Sequence, residues 1–96
     1  MAKMTKIEGS NARHHVAVYA LSTCGWCRKM KKLLEALDIA YEFVDVDQLT
    51  GEDKEQAVKE VRQYNVRGTF PTVVVDRGEA VIAGFREDEV REALGA

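Results

Sequence analysis

Cys24-Gly25-Trp26-Cys27 constrains this chain more than any other feature: its two cysteines are the only ones present, and they divide two different patterns. Before them runs the apolar, β-branched stretch Val16 to Leu21. After them comes a helical pattern with a basic first half. In that setting C-x-x-C reads as a redox pair rather than as half of a metal knuckle. A helix start offers unpaired N–H groups and the positive end of a dipole. That field favours a thiolate over a thiol. Cys24 is therefore expected at the strand-to-helix turn, exposed, as the attacking thiolate. Cys27 is expected in the first helical turn, less exposed, as the resolving thiol. Attack on a disulfide gives a mixed disulfide, which the second thiol releases.

The remaining chemistry is narrow. His14 and His15 are the only histidines. They lie at the start of the first strand while the cysteines lie past its end, and at about 3.3 Å per strand residue the two groups are roughly 20 Å or more apart. One monomer cannot gather them into the four ligands that structural zinc wants. C-type haem attachment fails because Arg28, not histidine, follows Cys27. The 96 residues suffice for one small domain, and a net charge of −2 supplies no general field for nucleic acid. No apolar run approaches the roughly 20 residues of a membrane span. Met1 to Arg13 has lysines with no apolar segment directly behind them, so a cytoplasmic protein is expected.

Residues 1–13 read as a flexible tail, with a short extra strand around Lys6-Ile7 as the alternative, and 14–96 as the domain. His15 to Ala20 forms the first strand. Trp26 to Leu37 has apolar residues at 26, 30, 33, 34 and 37, which is helical spacing. Tyr41 to Val46 alternates as a second strand. Thr50-Gly51-Glu52-Asp53 opens a second helix, with Ala57, Val58, Val61 and Tyr64 on its apolar face. Thr72 to Val75 is a buried strand, joined through the turn Asp76-Arg77-Gly78-Glu79 to a fourth, Ala80 to Ala83. Glu87 to Leu94 is a final helix. The order is βαβαββα, an α/β fold with a four-stranded mixed sheet flanked by helices. The helical connection makes the first two strands parallel, with a right-handed crossover.

Pro71, the only proline, opens a buried strand after Thr69-Phe70. Proline is tolerated there, and with C-x-x-C upstream the Phe70-Pro71 bond is expected cis and beside the cysteines. Gly84 to Asp88 feeds a helix start, a place suited to an anion or a polar peptide. Phe85 is read evenly as core or as contact. Trp26 is read as a partly buried residue sharing the face of Met30, with a surface contact role as the alternative.

The order strand, Cys24-x-x-Cys27, helix, Thr69-Phe70-Pro71, hairpin, Gly84-Phe85 resembles the thioredoxin superfamily, and more narrowly a small glutaredoxin or NrdH-type redoxin, over His15 to Leu94. The resemblance implies a dithiol oxidoreductase with no bound cofactor. Glutaredoxins usually carry Cys-Pro-Tyr-Cys, a lysine three residues before the first cysteine, Thr-Val-Pro and a Gly-Gly pair. Here Leu21 stands for the lysine, Phe70 for the valine and Phe85 for the second glycine. Gly84-Phe85-Arg86-Glu87-Asp88 is instead similar to the Gly-Phe-Arg-Pro-Asp turn of NrdH redoxins. That similarity implies a thioredoxin-reductase-type electron donor rather than glutathione, and a disulfide target such as ribonucleotide reductase. Thr69, Phe70, Pro71, Gly84 and Phe85 are then substrate-binding residues with Trp26, and Arg67 and Arg86 flank the groove beside Pro71. The protein is expected to act as a monomer. The alternative implied by the same resemblance is a carrier of an iron–sulfur cluster or other metal between two protomers.

Overall fold

The computed structural model describes residues 2–96. Its strands are β1 (Thr5–Ile7), β2 (Val16–Ala20), β3 (Tyr41–Asp45), β4 (Thr72–Val75) and β5 (Ala80–Ala83), and its helices are α1 (Gly25–Ala36), α2 (Gly51–Tyr64) and α3 (Glu87–Leu94). The strands form one sheet in the order β1-β3-β2-β4-β5. The β2–β3 pair, joined through α1, is parallel, and every other pair is antiparallel.

β2 lies at the centre, and all five of its residues are buried. Its alternation divides them between two cores. Val16, Val18 and Ala20 pack with Cys27, Met30 and Leu34 of α1 and with Val90 and Leu94 of α3. Ala17 and Tyr19 face the other side, with Ala57 and Val61 of α2. The sheet is thus covered on both faces, which is why β2 and β4 read as continuous apolar runs. α2 also buries a charge. Glu60 is only 6% exposed, and its carboxylate accepts from the Tyr19 hydroxyl at 2.8 Å, Gln56 Nε2 at 3.0 Å and the Ala2 amide at 2.8 Å.

The expected four strands become five. Residues 5–7 follow the alternative reading, pairing Thr5, Lys6 and Ile7 with Phe43, Glu42 and Tyr41. This covers the open edge of β3, which would otherwise present unpaired amides. The following segment is tied to the end of α1. Asn11 N donates to the Asp38 carbonyl and Ala40 N to that of Asn11, both at 2.9 Å. The Ser10 hydroxyl donates to the Asp38 carboxylate. Gly9 is needed for this approach: a Cβ there would lie 2.6–2.7 Å from backbone atoms of Asp38, Ile39 and Ala40. Among the described residues no helix is long and apolar enough to cross a membrane.

Candidate functional site

The topology gathers the marked residues at one end of the sheet. β2 ends at Ala20 and the chain turns through Leu21–Cys24 into α1. β4 runs antiparallel to β2, with Thr72 opposite Tyr19, and Thr72 also pairs with Ala83. Pro71 and Gly84 therefore lie where β2 ends. The Gly84 amide donates to the Pro71 carbonyl at 2.8 Å, extending the β4–β5 ladder by one rung. Gly84 holds φ +85° at this turn, a conformation that disfavours any Cβ. The Phe70-Pro71 peptide is cis and Pro71 is buried.

Cys24 is the N-cap of α1, and its sulfur accepts from the Cys27 amide at 3.2 Å. Cys24 is half-buried and Cys27 has no exposed surface, so the pair presents one sulfur outward. Burial pushes the Cys27 thiol up to about 12, and its contact with Cys24 adds to the rise; a backbone hydrogen bond at Leu21 and the charge of Lys31 oppose it. α1 has no acidic residue in its first turn to compete for the dipole.

Trp26 departs from its expected partial burial. It is 57% exposed and stacks on Phe85, ring centroids 5.7 Å apart. The buried stripe of α1 is Cys27, Met30 and Leu34, which leaves Trp26 at the stripe's edge. Lys29 Nζ lies over the indole, 4.5 Å from its centroid. Phe85 is both core and contact: it packs partly against the first core cluster while carrying Trp26. Arg86 is exposed and pairs with Glu89 at 3.4 Å. Arg67 is exposed on the loop before Pro71. The start of α3 carries Glu87, Asp88 and Glu89 in its first turn, so negative charge is already supplied where an anion was expected to bind.

The two histidines stand at the opposite end of β2. His14 Nδ1 contacts Asp76 and His15 Nε2 contacts Glu42, each at 2.7 Å. Bonds from His14 and from the His15 amide hold the Asp76 carboxyl below the usual carboxylate range.

Two polar residues that sequence reasoning passed over organise the loops on either side of Cys24. Asp47, in the 3-10 turn Val46–Gln48, accepts from the Ser22 amide at 2.8 Å and from its hydroxyl at 2.5 Å. Asn65, the C-cap of α2, donates through Nδ2 to Thr69 Oγ1 at 3.0 Å and Thr72 Oγ1 at 3.1 Å. The Thr72 hydroxyl in turn donates to the Thr69 carbonyl at 2.7 Å. An Asx residue at a helix end was the one available signal for Asn65.

Comparison with known proteins agrees with this arrangement. The Glutaredoxin family model matches residues 16–81. The chain is similar to the glutaredoxin of Methanosarcina mazei Go1, with 44% identity and a TM-score of 0.88 over 98% of this chain and 89% of that one. It is similar to Methanosarcina acetivorans methanoredoxin, with 44% identity and a TM-score of 0.86 over 92% of this chain and 90% of that one. Glutaredoxin 1 of Rickettsia prowazekii is 33% identical over 63 residues, 66% of this chain and 63% of that protein, so the match spans less than two thirds of that relative's length.

Proposed function

We propose that this chain, which belongs to the glutaredoxin family, is a dithiol electron carrier that reduces protein disulfides through Cys24 and Cys27 and is itself re-reduced by a thioredoxin-reductase-type enzyme rather than by glutathione. The observation that carries the reading is the pairing of a half-buried, helix-capping Cys24 with a fully buried Cys27 whose amide donates to its sulfur. The Cys24 thiolate attacks one sulfur of the target disulfide. The target S–S bond breaks, one target thiolate leaves, and a Cys24–target disulfide forms.

Cys27 is suited to the second step. Burial first and then contact with Cys24 raise its pKa, and the second contribution is removed once Cys24 is bound in a mixed disulfide and carries no charge. Cys27 then attacks the Cys24 sulfur, and its proton passes to the departing target sulfur. The second target thiol leaves, and the Cys24–Cys27 disulfide holds the two electron equivalents' worth of oxidation. The donor enzyme returns the pair to the dithiol.

Selection against glutathione is supported on two flanks. Leu21 packs against the second core cluster and offers no charge to a carboxylate. Phe85 carries a stacked indole where the family resemblance places open glycine backbone. Thr69, Phe70 and Pro71 form the edge against which an extended target segment pairs, with Arg67 and Arg86 beside it. The disulfide of ribonucleotide reductase is the target that the resemblance suggests. A coupled assay comparing glutathione, thioredoxin reductase with NADPH, and a ferredoxin-linked reductase tests the donor. Glutathione turnover equal to that of a true glutaredoxin overturns this part of the reading.

A further inference from the structure

The parallel ladder of β2 and β3 ends with Ala20 opposite Asp45. Two residues further along each strand stand Ser22 and Asp47, so the same register brings them together. The two backbones have parted there, β3 into its 3-10 turn and β2 into the turn that carries Cys24. The Asp47 side chain supplies the missing rung. Its Oδ1 accepts the Ser22 amide at 2.8 Å, the place a strand carbonyl would otherwise fill, and Oδ2 accepts the Ser22 hydroxyl at 2.5 Å. Gln48 Nε2 closes the ring, donating to Ser22 Oγ at 3.0 Å and to Asp47 Oδ2 at 3.2 Å.

Only Thr23 separates Ser22 from the reactive cysteine. The Cys24 amide donates back to the Leu21 carbonyl at 3.2 Å, and the Cys24 sulfur sits 3.2 Å from the Cys27 amide. Both contacts depend on where the turn holds residue 24, and the turn is anchored from outside itself at Ser22. We propose that Asp47 is a positioning residue for the reactive thiol: by extending the β2–β3 ladder through its side chain it fixes the Ser22–Cys24 turn and holds the Cys24 sulfur on the Cys27 amide of α1. The bonds from Ser22 hold the Asp47 carboxyl below the usual carboxylate range, so the clamp stays ionised at neutral pH. This inference rests on the proposed role of Cys24 as nucleophile.

The test is the pH–rate profile of iodoacetamide labelling, with each cysteine followed by mass, in the full chain and in Ser22→Ala, Asp47→Asn, Gln48→Ala and Ser22→Thr. Positional action predicts slower Cys24 labelling at neutral pH in both Ser22→Ala and Asp47→Asn, roughly three- to tenfold, the equivalent of one ordinary hydrogen bond. The profile midpoint rises in both. Gln48→Ala shows a smaller effect, and Ser22→Thr, which keeps both donors, labels like the parent. If Asp47 acts by charge alone, Asp47→Asn labels faster and Ser22→Ala is unchanged, which overturns the proposal. Should Asp47→Asn label both sulfurs alike, the mark of a lost fold, Ser22→Ala and Ser22→Thr decide between the same two outcomes. Parent protein labelled first at Cys27 refutes the nucleophile assignment. Parent labelled first at Cys24, with unchanged profiles in Ser22→Ala and Asp47→Asn, refutes only the role of Asp47.

Discussion

The indole of Trp26 lies against the ring of Phe85, centroids 5.7 Å apart and planes 29° from parallel. The contact joins the residue between the two cysteines to the turn after β5, and so closes one flank of the reactive pair. Such a stack contributes about 0.5–1.5 kcal/mol beyond the area it buries. A ligand that needs open backbone at position 85 must displace it.

Glutathione is therefore expected to reduce the protein poorly. A charge-assisted hydrogen bond to a glutathione carboxylate is worth about 1.5–3 kcal/mol. Its loss at Leu21 weakens binding by roughly ten- to a hundredfold. The double substitution Leu21→Lys with Phe85→Gly should gain activity in a glutathione and glutathione-reductase coupled assay. No gain would show that the two positions are not the cause.

Cys24 and Cys27 should separate cleanly in labelling rate at neutral pH. Burial keeps Cys27 a thiol up to about pH 12, so its alkylation in the reduced protein stays slow through neutral pH and rises only in strong alkali. Cys24 should label first. Cys27→Ser should trap a mixed disulfide with target protein, and Cys24→Ser none. Early labelling of Cys27 at neutral pH would reverse the assigned roles.

Glu60 links stability to pH. Burial by itself raises its pKa, but bonds from Gln56, Ala2 and Tyr19 outweigh that and hold it below the usual carboxylate range. A carboxyl depressed in the folded state contributes stability above its unfolded pKa of about 4.3, and that contribution is lost as pH falls through the folded value. Glu60→Gln should lower stability by about 1–3 kcal/mol at pH 7. Its urea midpoint should approach that of the parent in acid. A constant gap across pH would mean that packing, not charge, sets the effect.

Most of the fold was legible because α1 carries a strong helical period and β2 and β4 are short apolar runs bounded by turn residues. β1 was legible only as the alternative strand around Lys6-Ile7, since three residues are too few to show a period, and its strand state depends on the distant edge of β3. The cysteine pair and Pro71 were legible as types in order. Trp26 follows its alternative reading, a surface contact, because helical spacing alone does not say which edge of a stripe meets the sheet. Asp47 and Asn65 left little local trace. Asp47 acts through register, on a residue 25 positions away, and Asn65 through the loop that the cis Phe70-Pro71 bond closes.

Gly9 is expected to be intolerant of a side chain. Every atom that a Cβ would meet within 2.7 Å is backbone, so no neighbouring side chain can swing aside. Gly9→Ala should cost about 1–3 kcal/mol, in the range of other overpacked sites. Hydrogen exchange should localise the loss to Thr5–Asn11 and the facing residues of β3. An unchanged melting temperature would show that this segment contributes nothing to stability.

Asn65 should separate target binding from thiol reactivity. Its Nδ2 binds the hydroxyls of Thr69 and Thr72, and its Oδ1 accepts the Arg67 amide at 3.2 Å. The loop leading to Phe70 is thereby tied to the end of α2 and the start of β4. Asn65→Asp keeps size and acceptors but removes the amide donors, leaving the buried Thr72 oxygen and the exposed Thr69 hydroxyl with one bond fewer. A cost of about 1–3 kcal/mol follows from such a loss. Because the loop forms the proposed pairing edge for an extended target, KM for a protein disulfide should rise several-fold. Iodoacetamide labelling of Cys24, which needs no pairing edge, should not change. An equal loss in both measurements would place the effect on the fold as a whole, and no rise in KM would remove this loop from target recognition.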